Sequence, residues 1–184
     1  MRLALIALTF FVAKAQPSAT EALKARDAEI RALLPPPGTE LTPALREKIE
    51  RALTRAVDTE AIAKAALGKH WNEQPPAKRQ KFLKAFTNRF RRVSGDQIEA
   101  YRSSKTEFLP EEKQGDTVRV PTRLVVKGEP TTVGYVMRWD GKEWRIVDIV
   151  VDDVSTVENY RSSFSRIIAK EGFDALINRL SKTA

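Results

Sequence analysis

His70 is the only imidazole in this 184-residue chain, and there is no cysteine. A serine–histidine–acid scheme would have to use His70, yet no Gly-x-Ser-x-Gly turn is available to present a nucleophile. The missing thiols remove disulfides, thiolate zinc sites, iron–sulfur clusters and cysteine nucleophiles together. Carboxylates occur in two pairs, Glu111-Glu112 in a turn and Asp152-Asp153 between a strand and a helix. Such pairs could do acid–base work or hold a cation. Asp152 and Asp153, however, precede Ser155, where negative charge favours the start of a helix. Asp148 interrupts the apolar run Ile146, Val147, Ile149, Val150, so it must find a donor or face solvent. Arg161 on the following helix is its expected partner. No catalytic, metal or cofactor constellation is expected.

The other concentration of chemistry is cationic. Lys78, Arg79, Lys81, Lys84, Arg89, Arg91 and Arg92 put seven bases and no acid into residues 78–92. Such a face could neutralise phosphates. Phe82, Phe86 and Phe90 fall on the opposite side of the same helix, so they cannot interleave with the bases as stacking platforms. We therefore expect no nucleic acid as partner, and a solvated or partner-facing surface instead. The formal net charge of +8 leaves an anionic membrane or an acidic protein open. Hydrophobic content of 42% with eight Phe excludes a disordered chain.

The elements that must position these residues follow from spacing. Arg2, the apolar stretch Leu3 to Val12 and the small-x-small site Ala13-Lys14-Ala15 read as a cleaved signal peptide over residues 1–15. The apolar run is about half of what a bilayer-spanning helix needs. Loss of Arg2 and Lys14 with no acid lowers the net charge to +6. Residues 16–41 read as an N-terminal helical segment and a linker, Pro35-Pro36-Pro37-Gly38, that stops any helix. One domain follows over 42–184. Thr42-Pro43 caps a helix carrying Leu45, Ile49, Leu53 and Val57 on one face, and Asp58 caps a second that ends at Gly68. Pro75-Pro76 opens the longest helix, expected over 76–103, with Phe82, Leu83, Phe86, Phe90 and Val93 on one face.

The period then becomes two. Thr106–Leu109 is a short strand, and Val118–Val126 a second. A third carries Val133, Tyr135, Met137 and Trp139 on one face. After the Asp140-Gly141 turn, Trp144–Val151 forms the fourth. Pro121 argues for a bulge or an edge, and Gly134 for bending or for the close approach of another group. Ser155-x-x-Glu158 opens a helix that Gly172 ends, and Phe173–Leu180 is a last short helix. The expected fold is α+β: a curved antiparallel sheet of about four strands with helices packed on one face. Periodicity alone leaves open whether the two apolar faces pack together or enclose a pocket.

The stretch Trp144 to Ser155, then Glu158-Asn159-Tyr160-Arg161-Ser162-Ser163-Phe164 and Gly172-Phe173-Asp174-Ala175-Leu176-Ile177, resembles the C-terminal signature of the MlaC, or toluene-tolerance, family. A second match is Leu67-Gly68-Lys69-His70-Trp71 with the proline-opened helix after it. Asp153 departs from the pattern, since many members carry glycine there, and relatives associated with hopanoid metabolism share the pattern. The resemblance implies a monomeric, non-enzymatic periplasmic carrier without cofactor, holding one phospholipid with its acyl chains between sheet and helices. It also implies transient contact with membrane-bound partners: an inner-membrane ABC transporter bearing an MCE-domain ring, and an outer-membrane lipoprotein complex. Under that reading Phe82, Phe86, Phe90, Val133, Tyr135, Met137, Trp139 and Ile146 line the lipid chamber. Lys81, Lys84, Arg91 and Arg92 steer the carrier, and Asp148 with Arg161 forms a structural polar pair. An enzyme on a cone-shaped α+β fold acting on a small apolar substrate, and a basic protein-binding adaptor, are the alternatives.

Overall fold

The computed structural model describes residues 17–126 and 128–182. The expected signal peptide lies outside the described residues. Helices carry the N-terminal half, and the first three are each started by a capping side chain. In α1 (Ala19–Arg31), Ser18 and Glu21 form a reciprocal capping box. In α2 (Pro43–Arg55), Thr42 Oγ1 accepts from Leu45 N at 3.3 Å. In α3 (Thr59–Leu67), Asp58 Oδ1 accepts from Ala61 N at 2.9 Å, and Gly68, at φ +53°, closes the helix. A 3₁₀ turn over Gly68–Trp71 leads to α4 (Pro76–Asp96). The helix expected over 76–103 is divided: a tight turn at Gln97 separates α4 from α5 (Ile98–Ser103). Just before the break, a Cβ on Gly95 would sit 2.4 Å from Glu50 Oε1, so α2 crosses α4 where no side chain stands.

The strands are β1 (Thr106–Phe108), β2 (Glu112–Gln114), β3 (Thr117–Val126), β4 (Glu129–Trp139), β5 (Trp144–Val151) and β6 (Val154–Ser155). All pairings are antiparallel in the order β1-β3-β4-β5-β6, with β2 sharing the β1 edge of β3. The four expected strands are present; β2 and β6 are too short for periodicity to show. Pro121 sits between the stretches of β3 paired with β2 and with β1, and its carbonyl accepts from Leu109 N on that edge. Its missing N–H therefore falls where no ladder bond is lost. Opposite Pro121 stands Gly134, and a Cβ there would lie 2.6 Å from Arg119 Nε, so the close neighbour is a guanidinium.

Register defines the inner face. Val118, Val120 and Thr122 oppose Met137, Tyr135 and Val133, which in turn stand opposite Ile146, Ile149 and Val151. A bulge on β5 makes this possible. Val136 pairs with Asp148 but Met137 pairs with Ile146, leaving Val147 as the extra residue. Strict alternation would turn Asp148 to the side of Ile146; the bulge returns Ile149 there and sends Asp148 to the other face. The α6 helix (Thr156–Glu171) and α7 (Phe173–Lys182) complete the chain.

Candidate functional site

An apolar cavity of about 390 Å³ lies between the inner face of the sheet and the N-terminal helices. Its floor is Val133 and Tyr135 of β4 with Ile146 and Ile149 of β5. Leu53 of α2, with Ala56 and Val57 after it, forms one wall, and Phe90 at the inner end of α4 another. Leu23 and Ile30 of α1, both buried, supply the third. At one margin Val151 is 40% exposed although it lines the cavity, which marks where the space meets solvent. A shallower concavity of about 540 Å³ on the surface, between α3 and Arg138, is lined by Asp58, Glu60 and Lys64. Its charged walls are unsuited to hide hydrocarbon.

One end of the apolar cavity is polar. Asp27 of α1 accepts from the Tyr101 hydroxyl, from Thr106 Oγ1 at 3.4 Å and, on its other oxygen, from Arg31 Nε at 2.9 Å. The Arg31 guanidinium lies 4.6 Å from the centre of the Tyr101 ring and donates to Ser104 O at 3.0 Å. Burial, then the bond to Asp27, raises the Tyr101 phenol far above its ordinary value. Burial also pushes Tyr135 up to about 12, with Asp27 adding and Arg31 opposing. All three partners of Asp27 are donors, so the carboxylate keeps its charge compensated.

Of the residues predicted to line the lipid chamber, Phe90, Val133, Tyr135 and Ile146 border this cavity. Phe82, Phe86, Met137 and Trp139 do not. Phe82 is fully buried with ring centroids 5.8 Å from Phe86, Phe164 and Phe173, and Phe86 also meets Tyr160 at 5.3 Å. The aromatic face of α4 therefore packs against α6 and α7 and reaches the cavity only at Phe90. Met137 is 1% exposed in the packed core, and Trp139 stacks edge-on against Trp144. Position along the helix or strand decides which neighbour is met; Val93, expected on the same face of α4, is 38% exposed because the helix runs past its covering elements there.

The expected Asp148–Arg161 pair is not formed. Asp148 accepts from Ser155 Oγ at 2.5 Å and from Val157 N at 3.1 Å, so it serves the start of α6. Arg161 donates to Ala65 O at 3.0 Å, near the end of α3, and pairs with Glu158 at 2.7 Å. Each charge sits at the helix end of opposite polarity. In the basic run, Lys81 and Lys84 are exposed, whereas Arg91 and Arg92 are half-buried. Arg92 donates to Leu180 O and Lys78 pairs with Asp174 at 2.9 Å, so part of this face ties α4 to α7. His70 is bonded to Glu73 at 2.7 Å and does not line the cavity.

Of the segment expected as an N-terminal helix and a proline-rich linker, the described residues 17–41 belong to the packing. Trp144 Nε1 donates to Pro17 O at 2.8 Å, and Thr20 donates twice to Glu111. Arg102, whose side chain is 1% exposed, donates to the carbonyls of Pro36 and Thr39 and so fixes the proline-rich turn. The signals were the Ser18-x-x-Glu21 box and the seven-residue spacing of Leu23 and Ile30, which puts both on one helical face. Tyr101 and Asp27 gave no signal, because they meet only in three dimensions.

Fold and site together define a class: an α+β fold in which an open antiparallel sheet and its covering helices border an apolar cavity. The family model described as MlaC protein matches residues 36–182, and the chain belongs to the MlaC family. It is 22% identical over 146 residues to the intermembrane phospholipid transport system binding protein MlaC of Haemophilus influenzae, covering 76% of this chain and 68% of that protein. Its fold is similar to that of a phospholipid-binding protein from Ralstonia solanacearum solved in complex with a phospholipid, with TM-score 0.72 and 20% identity. That alignment covers 91% of this chain and 96% of the other. The matched family residues begin after α1, so the third wall of the cavity lies outside them.

Proposed function

We propose that the protein is a periplasmic carrier that holds one phospholipid, or a similar lipid, with its acyl part in the apolar cavity. The observation that carries this reading is that cavity, floored by β4 and β5, in a chain of the MlaC family. A free diacyl lipid exposes about 30 methylenes, and at roughly 0.8 kcal/mol each some 24 kcal/mol opposes its entry into water. A protein cavity of comparable polarity makes transfer out of a bilayer nearly neutral, so a small bias at either end sets direction. The carrier would exchange its lipid with an inner-membrane ABC transporter bearing an MCE-domain ring and with an outer-membrane lipoprotein complex. Exposed Lys81 and Lys84 would steer these encounters.

Native mass spectrometry of the mature protein purified from cells tests the reading. A bound mass equal to one phospholipid supports it. A protein that arrives empty and takes up no lipid from phosphatidylglycerol vesicles overturns it.

A further inference from the structure

Tyr135 lies on the cavity floor, opposite Val120 on one side and Ile149 on the other. It lies deep in the fold yet keeps accessible surface, because it borders the cavity. Among the described residues its hydroxyl has no hydrogen-bond partner, and Asp27, whose charge reaches it, has both oxygens engaged by Tyr101, Thr106 and Arg31. Water can satisfy the phenol while the cavity is empty. A purely hydrocarbon occupant would expel that water and leave a buried donor unpaired, which costs more than an ordinary hydrogen bond gains. Phenylalanine would serve a hydrocarbon better at the same volume.

The geometry points to Tyr135 as a specificity-determining residue that donates to an oxygen carried by the ligand inside the cavity. Two lipid groups offer that acceptor: the ester carbonyl at the head of an acyl chain, and a hydroxyl along it. The Tyr135 phenol is a neutral donor at any physiological pH, consistent with the upward push from its burial. The inference rests on the lipid-carrier reading.

The experiment compares wild type and Tyr135→Phe in competition assays read by native mass spectrometry. One arm offers diester against diether phosphatidylglycerol; the other offers a hydroxylated fatty acid against its plain counterpart. A single neutral hydrogen bond corresponds to a preference of about three- to tenfold. Wild type is expected to show that preference in one arm, which identifies the group, and Tyr135→Phe to lose it while still binding. Equal binding within both pairs of lipids by wild type, or a preference retained by the variant, overturns the inference and leaves the carrier reading standing. Failure of wild type to bind any of the four probes overturns the carrier reading itself. The thermal midpoint of the lipid-free variant is expected to equal or exceed that of wild type, which separates a lost contact from a damaged fold.

Discussion

Truncating Phe82 and Phe90 separately tests whether the cavity has been distinguished from the core. Both rings lie on the same face of α4, two helical turns apart, and sequence reasoning treats them alike. Phe82 is fully buried among three other rings and borders no open space. Phe82→Ala is expected to cost about 3–5 kcal/mol, the range for a buried phenylalanine whose surroundings cannot collapse. For a chain of this size each kcal/mol moves the thermal midpoint by about 2–4 °C, so a fall of roughly 6–20 °C is expected. Lipid retained per folded molecule should not change. Phe90 already faces the cavity. Phe90→Ala opens one void into another that water or ligand can enter, so its cost should lie at or below about 3 kcal/mol. Its main effect should be on lipid occupancy and chain-length preference. Circular-dichroism melts and native mass spectra of the two variants measure both quantities. If Phe82→Ala empties a protein whose melting point scarcely moves, the Phe82 ring faces the ligand and the assignment of the cavity is wrong.

Three further outcomes follow from the same geometry. Met137→Trp, in the packed core, is expected to destabilise by about 1–3 kcal/mol through overpacking, whereas Val133→Trp should fill the cavity and lower lipid occupancy in a protein that still folds; reversed results would place Met137 at the cavity. Arg102→Ala removes the donor to the Pro36 and Thr39 carbonyls, so amide exchange across residues 36–40 should quicken, and unchanged protection would show that the turn holds without it. Tyr135 has a raised folded value, about 12 against 10, so the stability its neutral form contributes is complete below pH 10 and is lost as pH rises from there toward 12. Denaturant midpoints across that window should fall less steeply for Tyr135→Phe than for wild type, by on the order of 2 kcal/mol over the window; identical slopes would show that the phenol titrates normally.

The sequence by itself determined the order of the longer elements, what caps them and the α+β class. Ser18, Thr42, Asp58 and Ser155 accept from backbone N–H groups three residues on, and such bonds are local, so residue type and spacing suffice. The apolar faces of α4 and β4 were legible for the same reason. Even the oddities were visible: Gly134 leaves room for Arg119, and Asp153 adopts φ +63°, a conformation glycine takes without strain. Tertiary structure decided where along each face the packing ends and the cavity begins. A fully packed aromatic and a cavity-lining one obey the same period, and only the placement of α6 and α7 buried Phe82 while Phe90 was left against open space. The β5 bulge shifted the side-chain alternation, and with it the role of Asp148, by a single residue that no pattern announces. The polar end of the cavity joins Asp27 to Tyr101 and Thr106, more than seventy residues away. Contacts at that range are set by how helices pack on the sheet, and that packing, more than any motif, makes the apolar cavity.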